Sequence, residues 1–325
     1  MPFLRLKKIY YSRASVFLNR ARRIYFEKKK PSIEERSISR NIRLKDSDQT
    51  SNQIKEYINS GVPFFVGRLG RNEADLLLWY LYKGKSFNLN RMLFGTNEKI
   101  PKDIRYRAVY YAGISDNQEI LLSAARRLNN SISSIDMLGS WLWQENYITN
   151  SHSINKYTKL GFLTPFLTNN PWTHALENLK ILIVHPFVDT MKLQLPRLHK
   201  ISNIWKRPNG KNFIFFKSYQ NTAGLQDGKD WISNLDDMSA KIANIEFDIA
   251  IVGCGAYGLA LSAEIKKMGR SVIHLGGETQ LLFGISGQRW ENDHNFKKLM
   301  NENWTRPAMS ETPESLLKYR SSPYW

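Results

Sequence analysis

Short apolar runs alternate with amphipathic segments along most of this chain. Short apolar runs predict buried strands, and apolar residues spaced three or four positions apart predict helices with one buried face. We expect six strands, at 62–67, 134–138, 180–185, 212–217, 247–252 and 271–275. We expect helices at 51–59, 72–82, 101–111, 117–128, from the third strand to 204, 231–245 and 256–268. Strands separated by helices pair in parallel, so the pattern predicts an α/β fold with a single Rossmann-like, doubly wound, mainly parallel sheet.

The first 50 residues differ from the rest in charge. Residues 1–45 carry 14 Lys and Arg against 3 Glu, a net charge of +11 out of +18 for the whole chain. Their apolar residues fall on one face of a helix: Phe3, Leu6, Tyr10, Phe17, Ala21 and Ile24. Basic amphipathic helices lie on anionic membranes, where each cation contributes about 1 kcal/mol. We therefore expect a leader and linker over 1–50, with residues 1–30 on an anionic membrane surface, and a folded domain over 51–325. The alternative is a helix that packs on the domain.

Composition narrows the class of protein. A hydrophobic content of 42% is sufficient for a core. The longest apolar run, 76–82, is too short to span a membrane, and basic residues interrupt the N-terminal apolar positions, so no secretory signal is expected. The single cysteine, Cys254, fits a reducing compartment. No nucleic-acid recognition module accompanies the basic residues. These features predict a cytoplasmic protein that is peripheral at the inner face of the cytoplasmic membrane.

Polar and glycine-rich clusters follow five of the predicted strands. They are Gly67 to Glu73, His185 to Gln194, Ser218 to Gly224, Gly253 to Gly258 and Gly276 to Gln280. Because ligands of open parallel sheets bind beyond the carboxyl ends of the strands, we expect these clusters to form one cleft.

The glycines after the fifth predicted strand have the spacing of a dinucleotide-binding turn. Gly253, Gly255 and Gly258 would let a phosphate approach backbone N–H groups, or they serve only close packing of helix and strand. An NAD site needs an acidic residue at the end of the next strand, but that strand ends at His274 and the first acid is Glu278. We therefore expect no NAD.

The turn after the first predicted strand holds two cations and a carboxylate. Arg68 and Arg71 can offset phosphate charge, and Glu73 can act as a base or hold a divalent cation, unless it only complements the helix dipole. Asn72 is expected to cap the helix that follows. His185 closes a buried strand and is either a structural residue or part of the cleft. No zinc, Walker or nucleophile-elbow motif is present.

Five segments resemble a known family. They are "VGRLGRNEADLL", "ILIVHPFVDTMKLQ", "NTAGLQDGKDWISNLDDM", "FDIAIVGCGAYGLALSAEIKKMGRSVIHLGGETQLLFGISGQRW" and "WTRPAMSETPESLLKYRSSPYW". Over residues 55–325 the chain resembles a bacterial surface-polysaccharide biosynthesis family related to the GT-D fold glycosyltransferases. The resemblance implies transfer of a sugar from a nucleotide-diphosphate donor to a lipid-linked surface-polysaccharide acceptor. The alternatives are a non-catalytic nucleotide-binding scaffold of polysaccharide assembly and an NAD-dependent oxidoreductase.

The resemblance also implies roles for individual residues. GT-D enzymes use an Asp-x-Glu motif for metal and diphosphate; Glu73 matches its Glu, whereas Arg71 stands at the Asp position. We expect Glu73 and Arg68 to be catalytic. A bound Mn2+ or Mg2+ at Glu73 is left open, because Arg71 removes one ligand. The donor and its nucleotide are expected to contact Arg71, His185, Thr190, Gly253, Gly255, Tyr257, Gly276, Gly277, Gln280 and Arg289.

Overall fold

Seven parallel strands form one sheet in the computed structural model. The strand order is β3-β2-β1-β7-β6-β4-β5. The strands are β1 (Phe65–Gly67), β2 (Met137–Ser140), β3 (Lys156–Lys159), β4 (Ile181–His185), β5 (Phe213–Lys217), β6 (Ile249–Val252) and β7 (Ser271–His274). The structure describes residues 21, 44, 46–82, 100–149, 152, 154, 156–206, 210–221, 227–313 and 324–325. Within these ranges the α/β class and the parallel sheet are confirmed.

Helices connect the strands and cover both faces of the sheet. The described α-helices are α1 (Ser47–Asn59), α2 (Arg71–Tyr82), α3 (Lys102–Tyr110), α4 (Gln118–Ile132), α5 (Glu145–Ile148), α6 (Val188–Gln194), α7 (Leu198–Ile201), α8 (Trp231–Ala243), α9 (Gly258–Lys267), α10 (Gln288–Glu291) and α11 (His294–Lys297). Short 3₁₀ helices lie at Leu160–Leu163, Pro165–Leu167, Trp172–Leu176, Leu195–Arg197, Gly210–Asn212, Gly255–Tyr257, Gly276–Phe283 and Met309–Glu311.

The central strands are buried on both faces because successive side chains point to opposite sides of the sheet. In β4, Leu182 and Val184 join the core under α2, α4, α8 and α9, whereas Ile181 and Ile183 join the core on the opposite face. All five residues of β4 are buried. This two-sided burial explains why the central strands read as continuous apolar runs in the sequence.

The direction of each crossover decides the face on which its helix lies. The connections β1 to β2, β5 to β6 and β6 to β7 move the same way along the sheet and place their helices on one face. The connection β4 to β5 moves the opposite way and places α6 on the other face, where the segment after β7 also packs. The loops after β1 and β6 therefore diverge from those after β7 and β4, which opens a crevice above these strands.

Several local predictions need correction. The strand Lys156–Lys159 was not predicted, because it is a polar strand whose one strand partner among the described residues is β2. Helix α2 begins at Arg71, so Asn72 lies inside the helix and is not its N-cap. The helix expected after β4 is interrupted by the 3₁₀ turn at Leu195–Arg197, where Pro196 cannot continue it.

The start of the first described helix also differs from the prediction. Helix α1 begins at Ser47, four residues before the expected start, because the carboxylate of Asp46 accepts a hydrogen bond from the Gln49 amide. The amphipathic helix expected over residues 1–30 lies outside the described residues, apart from Ala21. In the described parts of the chain, no helix is long and apolar enough to cross a bilayer.

Candidate functional site

A cavity of about 460 Å³ lies at the carboxyl edge of the sheet, above the crevice between the diverging loops. Its size is typical of small-molecule sites. Of the predicted site residues, it is lined by Arg68, Arg71, Glu73, His185, Gly253, Gly255, Tyr257, Gly276, Gly277, Gln280 and Arg289. The sheet thus brings together four loops that are far apart in the sequence.

Thr190 is the predicted site residue that does not line the cavity. Its hydroxyl hydrogen-bonds to the carboxylate of Glu311 and accepts from the Ala308 amide at 2.9 Å. The Glu311 carboxylate also accepts from the backbone N–H groups of Asp189 and Thr190, at 2.8 and 3.1 Å. These contacts tie the segment around Glu311 to the first turn of α6, so the structure places Thr190 outside the cavity wall and engages its hydroxyl within the fold.

Arg68 is the most unusual side chain of the cavity. It directly follows β1, is 8% exposed and lines the cavity wall. Its guanidinium lies 4.9 Å from the ring centroid of Trp141 and beside the backbone of Gly276. Among the described residues, no carboxylate pairs with it and no group accepts a hydrogen bond from it. A buried cation without an acceptor is costly, so the surroundings of Arg68 favour an anion in the cavity over a neutral or cationic group.

Three carboxylates surround Arg68 without pairing with it. Burial raises the pKa of Glu73, and it raises the pKa of Glu145 and of Glu278 to about 7. In each case the charge of Arg68 opposes the rise in pKa. Titratable groups with such shifts cluster at functional sites.

Glu73 is held in the first turn of α2. Its carboxylate folds over Gly70, where a Cβ atom would lie 2.2 Å from Oε2, so no other residue fits at that position without a shift. Burial raises its pKa against the opposing effects of its own backbone N–H and of Arg68. The arrangement presents a fixed carboxylate to the cavity beside an unpaired guanidinium.

Glycine is required at the three positions after β6 for different reasons. A Cβ on Gly253 would lie 2.6 Å from the Gly276 carbonyl oxygen, and one on Gly258 would lie 2.1 Å from Cε1 of His274. These two glycines therefore permit close packing. Gly255 has a φ of +58° and nothing within 4 Å of its Cβ position, so it serves a left-handed turn beside open space in the cavity.

Tyr257 and Gln280 line the cavity but are already engaged. The Tyr257 ring stacks on Trp231 at 5.4 Å, and its hydroxyl accepts from the amides of Asn221 and Asn234. One ring face is therefore occupied, which disfavours Tyr257 as a stacking surface for a base. The Gln280 amide donates to the carbonyl oxygens of Ser286 and Tyr324, at 2.9 and 3.1 Å, and so holds the end of the chain over the cavity.

The sequence analysis missed a set of aromatic residues in the cavity wall. Trp141 is 37% exposed, follows β2 and lies over both Arg68 and Arg71. The other aromatic residues that were missed are Tyr111, Phe187, Tyr219, Tyr324 and Trp325. The place of Trp141 at the carboxyl end of a predicted strand was an available signal. The last two residues could not be assigned, because only tertiary packing brings them to the sheet edge.

A divalent cation does not fit the described residues well. No group of three or more His, Cys, Asp or Glu side chains in the described ranges is arranged to hold a metal ion. Glu73 is accompanied in the cavity by Arg68 and Arg71, and guanidinium groups cannot ligate a cation.

Comparison of the chain with protein families, with curated proteins and with solved structures finds no match.

Proposed function

We propose that the protein is a glycosyltransferase that moves a sugar from a nucleotide-diphosphate donor to a lipid-linked surface-polysaccharide acceptor. The observation that carries this proposal is Arg68, a buried guanidinium with no acceptor among the described residues. A diphosphate supplies the missing charge and can accept its hydrogen bonds bidentately. The resemblance of the sequence to GT-D enzymes narrows the anion to a sugar nucleotide, and membership in that fold group is part of the proposal.

In this proposal Glu73 is the base for the acceptor hydroxyl. Burial raises its pKa, which makes it a stronger base than an exposed glutamate once it is ionised. Arg68 and Arg71 stabilise charge on the diphosphate, and Gly255 lets it approach the backbone. The exposed indole of Trp141 adds an apolar surface for a base or sugar. Residues 1–30 would hold the enzyme at the anionic inner face of the cytoplasmic membrane, near the lipid-linked acceptor.

The first experiment measures thermal stability with UDP, CDP, GDP and NAD, each with and without manganese. Stabilisation by one nucleoside diphosphate is expected, since a ligand that binds the folded state at about 100 times its Kd adds about 2.7 kcal/mol. Stabilisation by NAD alone would contradict the proposal.

The second candidate function is a non-catalytic, nucleotide-binding scaffold. Arg71 favours it, because this arginine stands where a carboxylate is expected. A measurement of turnover separates the enzyme from the scaffold. Hydrolysis or transfer of the matching sugar nucleotide should fall about 10²- to 10⁴-fold in Glu73→Gln. Glu56→Gln, on the surface of α1, is the matched control and should keep full activity. Wild-type protein that binds the nucleotide but never turns it over would favour the scaffold.

The dependence on metal is tested with EDTA. Because Glu73 is the single carboxylate beside two arginines in the described cavity wall, we expect transfer activity to survive EDTA. Complete loss of activity with EDTA, restored by Mn2+, would show that a metal does bind there.

A further inference from the structure

Two buried imidazoles face the cavity from different strands. His185 ends β4 and His274 ends β7, with β6 between them in the sheet. They are 2% and 4% exposed, and both line the cavity. Histidines at strand ends are common. What each of these two rings can bind depends on which of its nitrogens carries the proton.

Backbone hydrogen bonds fix opposite tautomers in these two rings. The Phe187 amide donates to Nδ1 of His185 at 3.0 Å, so in the neutral ring the proton must be on Nε2. Nδ1 of His274 lies 3.1 Å from the Val252 carbonyl oxygen, which can only accept, so this nitrogen carries the proton and Nε2 keeps a lone pair. In the described part of the chain, no protein group hydrogen-bonds to either Nε2.

Burial keeps both rings neutral. Burial lowers the pKa of His185 to about 3 and that of His274 to about 4, and the charge of Arg68 lowers the latter further. The packing of His274 is built into the fold, because a side chain on Gly258 would collide with its ring. The two rings, both of which line the cavity, therefore carry one donor and one acceptor of fixed polarity.

We propose that His274 accepts a hydrogen bond from a hydroxyl group of a sugar ring in the ligand, while His185 donates to a ligand oxygen. The inference rests on the proposed function for the nature of the ligand. A lone pair at Nε2 of His274 repels phosphate oxygens, so the anion belongs at neighbouring Arg68 and a hydroxyl belongs at His274. A phosphorylated sugar carries both groups within a few bonds, either in the ribose of the nucleotide or in the transferred sugar.

The tautomers are tested first, without any ligand. Long-range ¹⁵N–¹H spectra of protein labelled in its six histidines should show protonated Nε2 for His185 and protonated Nδ1 for His274. Neither ring should become charged between about pH 8 and about pH 5, since both pKa values lie below this window. The opposite tautomer of His274, or its protonation near neutral pH, would overturn the inference even if the protein proves to be a glycosyltransferase.

Binding then separates the roles of the two nitrogens of His274. Asn places its amide near the position of Nδ1, so His274→Asn keeps the donor to Val252 and removes the acceptor in the cavity. We expect this variant to bind pyrophosphate as the wild type does. We expect it to lose about tenfold in affinity for a ligand that donates a hydroxyl.

The probes are pyrophosphate, the best nucleoside diphosphate of the stability panel and its sugar nucleotide. Weaker binding of both nucleotides assigns the hydroxyl to ribose, and weaker binding of the sugar nucleotide alone assigns it to the transferred sugar. Equal losses for all three probes, or no loss for either nucleotide, would overturn the inference. His199→Asn, whose ring lies outside the cavity wall, is the matched control and should change none of these affinities. If no nucleotide binds the wild type, the proposed function fails, and the spectra still decide the tautomers.

Discussion

Two arginines of this protein are buried to the same extent but have different surroundings. Arg68 and Arg107 are each 8% exposed. The guanidinium of Arg107, on α3, lies 3.2 Å from the Asp75 carboxylate and 3.3 Å from that of Asp103. Arg68 has no such partner among the described residues, and the carboxylates near it form no ion pair with it. Burial alone therefore does not distinguish a structural arginine from a binding one; the location of its counter-charge does.

The difference has an energetic reason. Removing a guanidinium from water costs several kcal/mol, which Asp75 and Asp103 offset within the folded chain for Arg107. For Arg68, no carboxylate of the described residues lies within ion-pair distance, and in the proposed function a ligand supplies the counter-charge. A buried charge without a partner in the chain is expected at functional sites, where a bound ligand supplies the partner.

The largest effect on stability is expected at Arg107. Arg107→Met should lower the free energy of unfolding by about 3–5 kcal/mol, because it leaves two carboxylates in a buried region without their cation. Urea denaturation measures the change. Arg105→Met is the control, since its ion pair with Asp116 is 37% and 48% exposed and should contribute at most about 1 kcal/mol. Equal losses of unfolding free energy in the two variants would show that the buried ion pairs of Arg107 contribute no more than the exposed pair of Arg105.

The pH dependence of stability at Glu145 tests the electrostatics of the region around Arg68. Its pKa in the folded state, about 7, lies above the ordinary value of 4.5, so the folded protein holds a proton that the unfolded chain releases. This contribution to stability is complete below about pH 4.5 and is lost as the pH rises to about 7. Glu145→Gln should therefore be up to about 3 kcal/mol more stable than wild type at about pH 8 and similar to it at about pH 4. A constant difference across this range would contradict the raised pKa.

Substitution of Arg68 should affect ligand binding more than stability, the opposite of what is expected for Arg107. Arg68→Met leaves no paired carboxylate behind, so we expect its unliganded stability to change by less than about 1 kcal/mol. It should lose most of the stabilisation by pyrophosphate, because hydrogen bonds to charged groups contribute about 1.5–3 kcal/mol. Arg68→Lys keeps the charge and should retain part of the effect. Unchanged stabilisation by pyrophosphate in Arg68→Met would show that the anion binds elsewhere.

The smallest expected effect concerns Trp141. Its ring lies over Arg68 and Arg71, and such contacts contribute about 0.5–1 kcal/mol at exposed sites. Trp141→Phe should keep most of the pyrophosphate affinity of the wild type, whereas Trp141→Ala should lose about threefold. Calorimetric titration can resolve this difference. An effect as large as that of Arg68→Met would mean that the indole, and not the guanidinium, dominates the region.

The sequence by itself determined the class of fold and the edge of the sheet where the site lies. Buried parallel strands need apolar residues on both faces, so β4 and β6 appear as continuous apolar runs that local inspection of the sequence finds. The turns at Arg68 and Gly253 follow such runs and therefore had to meet at one edge. The polar edge strand β3 was missed, since it lacks this apolar signal.

Only the tertiary structure decided what the individual side chains do. Nothing in the sequence distinguishes Arg68 from Arg107. Only the packing of the chain brings the carboxylates of Asp75 and Asp103 to the guanidinium of Arg107. Likewise, Thr190 was assigned to the site by its position after β4, but its hydroxyl contacts Glu311, which is 121 positions away in the chain. The proton positions on His185 and His274 depend on backbone groups that the fold brings into contact with each ring. Periodicity reports local burial, whereas partners and proton positions depend on contacts between distant segments.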